Sequence, residues 1–228
     1  MSVSKCSAHS TNQRPQHPKQ KKGNISKVAA VNQIKSLVDG LKLPLHYEKD
    51  DWQVDIDYYH IDDYPEHLRE WALALFKANM LTMYKNSKDG WNEDEKRSEL
   101  FAKEARYLVA RSRTDPTRLF GYLLFQIVQE ETMDDDVMAD VAYCYELQIE
   151  DSARGRGLGE YLVKLLEDIG KRWKMDKVML TVFKVNTGAF KFYTKKLGFE
   201  LDEISPGKCL SAFQARSFDY EILSKALD

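Results

Sequence analysis

The chain has 228 residues, a net charge of −2, and 43% hydrophobic and 31% charged residues. This size suits one domain with a full hydrophobic core and an extension. No apolar run reaches the roughly 20 residues of a membrane helix, and the N-terminus lacks the apolar segment of a secretory signal, so we expect a soluble intracellular protein. Three cysteines and five histidines are scattered without the spacing of a metal site, so we expect no metal.

The charge is unevenly distributed. Residues 1–38 contain seven Lys or Arg and no acidic residue, so the rest of the chain carries 27 basic and 36 acidic side chains. An acidic body favours a basic substrate or partner, although a merely soluble surface has the same charge. Residues 1–23 are polar and are predicted to form a disordered basic leader. Residues 19–22, Lys-Gln-Lys-Lys, are typical of a nuclear localisation element and also of ordinary basic segments.

Residues 24–46 are predicted to form an N-terminal helical extension. Its helix begins with Ser26 as the N-cap and ends at Gly40. A short strand is predicted at 52–56. A long helix opens at Pro65 and reaches about Lys85, and a loop with two aromatic residues follows it.

The centre of the chain reads as an antiparallel meander, with strands at 106–113 and 119–128. The acidic stretch 130–140 that follows is either a solvated hairpin turn or a rim that attracts a cationic peptide. Residues 178–183 are nearly all apolar, which predicts a strand covered on both faces. A final strand is predicted at about 218–223.

A strand, a glycine-rich loop and a helix occupy 143–173. Residues 143–149 alternate as a strand does, Arg154-Gly155-Arg156-Gly157-Leu158-Gly159 follows, and apolar residues then recur at helical spacing. A helix that opens in glycines exposes unpaired N–H groups that can hold a phosphate, although a plain turn uses the same glycines. No Gly-Lys-Ser/Thr is present, which excludes an NTPase phosphate loop, and the spacing disfavours a dinucleotide fingerprint.

Arg-x-x-Gly-x-Gly after a strand resembles the acetyl-CoA pyrophosphate loop of the GNAT N-acetyltransferase superfamily. A second GNAT-like pattern, Asn-x-x-Ala-x-x-Phe-Tyr followed by Gly-Phe, is formed by Asn186, Ala189, Phe192, Tyr193, Gly198 and Phe199. The resemblance implies an α/β fold with acetyl-CoA as cosubstrate. It predicts a mixed, mostly antiparallel sheet in residues 47–228, splayed at the acetyl-CoA site and flanked by helices.

Several short sequence segments are more specific and resemble those of the NatD family of N-terminal acetyltransferases. They are Tyr-Cys-Tyr-Glu at 143–146, Val-Met-Leu-Thr-Val-Phe-Lys at 178–184, Tyr-Glu-Ile-Leu-Ser at 220–224, Asn-Met at 79–80, Thr-Met-Tyr at 82–84 and Gly-Trp at 90–91. That family acetylates the α-amino group of core histones whose tails begin Ser-Gly-Arg-Gly. The resemblance therefore implies histone N-terminal tails as substrates, a cytoplasmic and nuclear location, no membrane partner, and a monomer that acts without an auxiliary subunit.

The resemblance also implies roles for individual residues. Glu146 matches the catalytic glutamate that acts as general base, directly or through one water. Tyr193 either protonates the departing thiolate or packs against the CoA arm. The implied substrate-binding residues are Tyr84, Trp91, Tyr145, Thr181 and Tyr220. The implied cofactor-binding residues are Leu147, Gln148, Ile149, Arg154, Gly155, Arg156, Gly157, Leu158, Gly159, Glu160 and Asn186.

This sequence departs from the family at two positions. Asp89 stands where family members carry an aromatic residue, and Gln126 aligns with the acid that faces the substrate arginine. Asp134, Asp136 or Asp89 are candidate substitutes for that acid. Two alternatives stay open: a GNAT enzyme that acetylates another amine (a polyamine, a lysine or another protein N-terminus), and a non-catalytic acyl-CoA-binding scaffold.

Overall fold

A computed structural model describes residues 26–228, which form an open mixed sheet flanked by helices, as expected. The strands lie in the order β1-β2-β3-β4-β5-β6-β8-β7, and every neighbouring pair is antiparallel except β5 and β6. The predicted basic leader, 1–23, lies outside the described residues. The strands are β1 His46–Lys49, β2 Trp52–His60, β3 Arg106–Ser112, β4 Leu119–Glu131, β5 Met138–Ile149, β6 Lys177–Phe183, β7 Glu200–Leu201 and β8 Tyr220–Ala226.

Helices cover both faces of the sheet because side chains of its strands alternate between them. On β4, Leu123 and Phe125 pack with the helices Leu158–Arg172 and Lys27–Asn32, whereas Tyr122 and Leu124 pack with the helix Glu66–Lys85. No helix among residues 26–228 is long and apolar enough to cross a membrane. The helices are α1 Lys27–Asn32, α2 Glu66–Lys85, α3 Glu93–Leu100, α4 Leu158–Arg172, α5 Thr187–Lys191, α6 Pro206–Cys209 and α7 Ala212–Ala215, and α5 continues as a π-helical turn, Phe192–Lys196.

Helix α1 is shorter than the sequence predicted. Its N-cap is Ser26, as expected, but it ends at Asn32, so the predicted continuation to Gly40 is wrong. The buried Arg106 donates hydrogen bonds to the Asn32 side chain at 3.1 Å and to the Ile34 carbonyl oxygen at 3.3 Å. Because side chains of the sheet bind the carbonyl groups of this segment, it stays packed without being helical.

Helix α3 was not assigned from the sequence. Its N-cap is Asn92, whose side chain accepts hydrogen bonds from the N–H groups of Asp94 and Glu95. The sequence carried a signal for it, since Asn92 followed by Glu95 has the spacing of a capping box. Helix α3 packs on the same face as α2, and its Leu100 is buried there.

The two central parallel strands pair only over part of their length. Val141 to Cys144 on β5 pair with Lys177 to Leu180 on β6, and beyond these residues the two strands part. The parting coincides with a bulge, because the β4 register moves from Cys144 directly to Glu146 and leaves Tyr145 without an opposite residue. A bulge bends its strand, which accounts for the gap that opens between β5 and β6.

We expect the buried face of α4 to dominate the stability of this side of the sheet. Leu162 is 0% exposed, so Leu162→Ala should lower the free energy of unfolding by about 2–5 kcal/mol. Lys164 lies on the exposed face of the same helix, and Lys164→Ala should change the free energy of unfolding by less than about 0.5 kcal/mol. Urea denaturation measures both. Equal losses would contradict the orientation of α4.

Candidate active site

The edge of β5 that faces the gap is not paired with β6, and the Ile149 carbonyl oxygen on it accepts hydrogen bonds from Asn79 Nδ2 and Arg154 Nε, both at 3.3 Å. The Glu150 N–H donates to the Phe120 carbonyl oxygen on β4 at 2.8 Å. Backbone groups alternate in direction along an antiparallel strand, so those of Leu147 and Ile149 point away from β4 and into the gap. The predicted cofactor contacts of Leu147 and Ile149 fit this direction. The Gln148 backbone points towards β4 instead.

The glycine loop after β5 has the geometry of an anion site. Gly155 and Gly157 have φ angles of +75° and +91°, a left-handed conformation that glycine adopts without strain. Among the described residues, none accepts a hydrogen bond from the backbone N–H groups of 155–160. These groups meet at the positive end of α4 and can bind the phosphates of a nucleotide cofactor.

The side chains of the loop are held by their neighbours. Tyr47 of β1 donates a hydrogen bond to the Arg156 carbonyl oxygen at 2.6 Å, and a Cβ on Gly157 would lie 2.6 Å from the same hydroxyl. The Arg156 guanidinium lies over the Trp52 ring, 5.2 Å from its centroid. Glu160 forms an ion pair with Lys196 at 2.8 Å.

Leu158, Gly159 and Asn186, also predicted to bind the cofactor, differ in burial and in their contacts. Leu158 is buried in the core, and a Cβ added at Gly159 would make only ordinary van der Waals contacts. Asn186 caps α5, where its side-chain oxygen accepts from the Ala189 N–H at 3.2 Å. That bond leaves the Asn186 amide N–H₂ as the group able to meet a cofactor.

Glu146 lies at the point where the strands part and is 7% exposed. Its Oε1 accepts a hydrogen bond from Lys96 Nζ at 2.5 Å, and its Oε2 accepts one from Gln148 Nε2 at 2.7 Å. Burial raises the pKa of the Glu146 carboxyl above its usual range, and the Lys96 ammonium opposes that rise. A carboxylate with a raised pKa can accept a proton near neutrality.

A chain of polar side chains connects Glu146 to the glycine loop. Gln148 Oε1 accepts from Asn79 Nδ2 at 2.9 Å, and the Asn79 oxygen accepts from the Arg154 guanidinium at 2.6 Å. Arg154 also pairs with Asp151 at 2.9 Å. Gln148, predicted as a cofactor contact, therefore holds the catalytic candidate in place and is itself only 4% exposed.

Tyr193 reaches the gap from the opposite face of the sheet. It is 7% exposed and packs with Cys144 and Phe199 in the core beneath α4. Its hydroxyl forms no hydrogen bond with the described residues, and burial raises the pKa of this hydroxyl well above its usual range. Tyr193 is therefore protonated at neutral pH and able to donate a proton.

Aromatic side chains form a wall on the α2 side of the gap. Tyr84 and Trp91 both pack against Phe76, with ring centroids 5.3 and 5.9 Å from it. Tyr84 also contacts Phe183 at the end of β6, with centroids 5.0 Å apart. Phe183 pairs in register with Tyr220 on β8. Tyr84 belongs to the last turn of α2 and not to the loop expected from the sequence, whereas Trp91 lies in the loop between α2 and α3.

The remaining predicted substrate residues join this wall. The Thr181 hydroxyl is hydrogen-bonded to the Tyr143 hydroxyl at 2.6 Å, and the Tyr143 and Tyr145 rings lie 5.0 Å apart. Tyr143 and Tyr220 lie in one apolar cluster against which Tyr145 and Phe183 pack, so contacts connect the five predicted substrate residues. Sequence reasoning gave no site role to Tyr143 or Lys96, because Thr181 lies 38 residues from Tyr143 and Glu146 lies 50 residues from Lys96. No group of three metal-ligating side chains is present between residues 26 and 228.

A sequence model of the Acetyltransferase (GNAT) family matches residues 59–199, which is more than half of the chain and includes the gap, the glycine loop and Tyr193. The chain belongs to this family. Its members use acetyl-CoA as cosubstrate, and the free N–H groups of 155–160 and the open edge of β5 fit that molecule.

Solved structures of GNAT proteins share the fold. The PaiA N-acetyltransferase of Thermoplasma acidophilum, in complex with coenzyme A, is 19% identical, with a TM-score of 0.51 over 76% of this chain and 98% of that one. A GNAT-family acetyltransferase of Staphylococcus aureus Mu50 is 12% identical, with a TM-score of 0.52 over 76% and 99%. At these identities the likeness is one of fold.

We expect Gly157→Ala to weaken CoA binding more than Gly155→Ala does. Both changes place a Cβ in a left-handed conformation, which costs about 1–2 kcal/mol, but a Cβ at Gly157 also meets the Tyr47 hydroxyl, whereas one at Gly155 meets nothing within 4 Å. Calorimetric titration with CoA measures the two affinities. Equal losses would show that the Tyr47 contact is unimportant to the loop.

Proposed function

We propose that this chain is an N-terminal acetyltransferase of the NatD type. It transfers acetyl from acetyl-CoA to the α-amino group of protein substrates, with the Ser-Gly-Arg-Gly tails of core histones as the preferred ones. The observation that carries the proposal is the position of Glu146, a buried carboxylate between the open edge of β5 and the wall that contains Tyr84. The short sequence segments that resemble the NatD family support the choice of substrate.

The chemistry of the amine favours an N-terminus over a lysine. An α-amino group has a pKa of about 7.7–8.0, whereas that of a lysine side chain is about 10.4. Near neutral pH a substantial fraction of α-amines is therefore already neutral, and a single carboxylate is a sufficient base for the rest. The site offers Glu146 for this task.

Each catalytic group has one task in the proposed reaction. Acetyl-CoA supplies the thioester carbonyl, which the neutral amine attacks directly. Glu146 removes the proton that the amine must lose, directly or through one water. Tyr193 holds a proton at its hydroxyl and donates it to the sulfur that leaves. The Leu147 and Ile149 backbones position the cosubstrate from the open edge of β5.

Distance selects one acid among the candidates for arginine recognition. Asp134 and Asp136 lie at the turn between β4 and β5, and a strand rising 3.2–3.4 Å per residue places Asp136 about 30 Å from Glu146. The third residue of an extended peptide lies no more than ~11 Å from its start, so its arginine does not reach that turn. We therefore assign arginine recognition to Asp89.

The surroundings of Asp89 support this assignment. Burial raises the pKa of Tyr220, and the Asp89 carboxylate adds to the rise, so the two side chains are neighbours. The Lys88 backbone N–H donates to Asp219 at 2.9 Å, which brings a second carboxylate to the same corner. A cationic side chain that passes Tyr220 therefore meets negative charge.

The other parts of the proposal concern the whole protein. We propose residues 47–228 as the catalytic domain and 24–46 as an N-terminal extension. We also propose that the enzyme acts as a monomer without an auxiliary subunit. We also propose a cytoplasmic and nuclear location, as a histone substrate requires.

Acetyl transfer to a Ser-Gly-Arg-Gly peptide tests the proposal. We expect transfer to the free N-terminus and none to a longer tail peptide with a blocked N-terminus and free lysines. Mass spectrometry of the product locates the acetyl group. Transfer to the blocked peptide would indicate a lysine acetyltransferase, transfer to spermidine alone would indicate a polyamine enzyme, and CoA binding with no transfer would indicate a scaffold.

Substitution of Asp89 tests the arginine assignment. Asp89→Asn should raise the peptide KM about tenfold, because a charge-assisted hydrogen bond contributes about 1.5–3 kcal/mol, and should leave the acetyl-CoA KM unchanged. Asp136→Asn is the matched control at the distant turn and should change neither constant. Steady-state kinetics measure both variants. A rise in KM with the Asp136 variant alone would assign the arginine to the turn instead.

A further inference from the structure

Lys96 is a buried cation in direct contact with the candidate base. It lies on α3 and is only 3% exposed. Its Nζ donates hydrogen bonds to Glu146 Oε1 at 2.5 Å, to Glu99 Oε1 at 2.6 Å and to the Tyr84 hydroxyl at 3.1 Å. An ammonium has three N–H donors, so all of them are used. The Phe76 ring covers the ammonium, with its centroid 4.4 Å from Nζ.

Attachment of α3 to α2 does not require this buried charge. Arg97 on α3 forms a two-bond ion pair with Glu70 on α2, and Lys77 on α2 pairs with Glu93 on α3. Both pairs are at the surface. A buried ion pair, by contrast, contributes little net stability because two charges lose their hydration. Two surface ion pairs already attach α3 to α2, so the desolvation of Lys96 is not explained by a need to hold this helix in place.

The groups around Glu146 show what Lys96 does there. The titratable groups near the Glu146 carboxylate come from every element packed against it. Among those that belong to the described residues, Lys96 is the one cation. They are Lys96 and Glu99 from α3, Tyr84 from α2, Tyr107 from β3, Tyr122 from β4, Cys144 from β5 and Tyr193 from the π-helical turn.

Without a cation, a buried Glu146 would take up a proton. Burial and the neighbouring Glu99 carboxylate both raise the pKa of Glu146, and Lys96 opposes them. A protonated Glu146 cannot act as a base. The Lys96 charge is itself secure, because the two carboxylates raise the pKa of Lys96 well above its usual range in spite of its burial.

The same contact fixes the direction of the carboxylate. Lys96 holds Oε1 and Gln148 holds Oε2. A carboxylate has about four lone-pair sites, so about two remain for a substrate amine or a water. We propose that Lys96 is a positioning residue that keeps Glu146 ionised and oriented for proton removal. This inference rests on the proposed role of Glu146 as the base.

The pH dependence of kcat/KM for the Ser-Gly-Arg-Gly peptide tests the inference. A general base works in its deprotonated form, so activity falls as the pH drops through its pKa. Lys96→Met removes the positive charge that lowers the pKa of Glu146. We therefore expect the acid limb of this variant, the low-pH side of its kcat/KM profile, to move to higher pH, with turnover at pH 7 reduced about tenfold or more. Lys96→Arg should restore the limb in part. The substrate amine titrates equally in all variants, so a difference between them belongs to the enzyme.

Two further variants separate charge from structure. Arg97→Met removes the surface ion pair with Glu70 on the same helix and should leave the acid limb of the pH profile unchanged. Glu99→Gln removes the second carboxylate and should move the limb to lower pH, opposite to Lys96→Met. Thermal melting and CoA titration establish that each variant is folded. If Lys96→Met does not fold, Lys96→Gln removes the charge and keeps a donor to Glu146.

Glu146→Gln distinguishes failure of the inference from failure of the proposed function. We expect it to lower turnover about 10²–10⁴-fold with CoA affinity unchanged, and Lys96→Met to add little in its background. Wild-type turnover of Glu146→Gln would remove Glu146 from the mechanism. An inactive Glu146→Gln together with wild-type acid limbs in the Lys96 and Glu99 variants would overturn the role of Lys96 alone.

Discussion

The parting of β5 and β6 is the feature on which the rest of the site depends. These two parallel strands pair only as far as Cys144 and Leu180, and the bulge at Tyr145 turns β5 away from its neighbour. The parting frees backbone groups in the middle of a sheet, where they would otherwise be paired. It thereby creates an edge that an extended cosubstrate arm can join.

The same bulge decides where the chemical groups lie. Because Tyr145 is an extra residue, Glu146 and Gln148 face α2 and α3, while Leu147 lies on the α4 side with Tyr193. The base candidate and the acid candidate therefore approach one opening from opposite faces of the sheet. The cost of burying Glu146 is offset by Lys96, and the polar chain through Asn79 joins this pair to the glycine loop.

Much of the fold was predictable, because short-range patterns encode it. The glycine loop, the amphipathic α4 and the strands around them depend on neighbours in sequence. Long-range contacts account for what was missed: Arg106 ends α1 early by binding its carbonyl groups, and Lys96 meets Glu146 across 50 residues. Polar side chains that pair only in the folded state leave no periodic signal, so the arrangement around the base became visible only in three dimensions.

The most direct test of this account is a crystal structure with a bisubstrate analogue in which CoA is joined through an acetyl linker to the α-amine of a Ser-Gly-Arg-Gly peptide. The account predicts phosphates on the N–H groups of 155–160, the linker between β5 and β6 within reach of Glu146 or of one intervening water, and the peptide arginine beside Asp89. Phosphates bound elsewhere, or a peptide that enters from the α4 face, would contradict it.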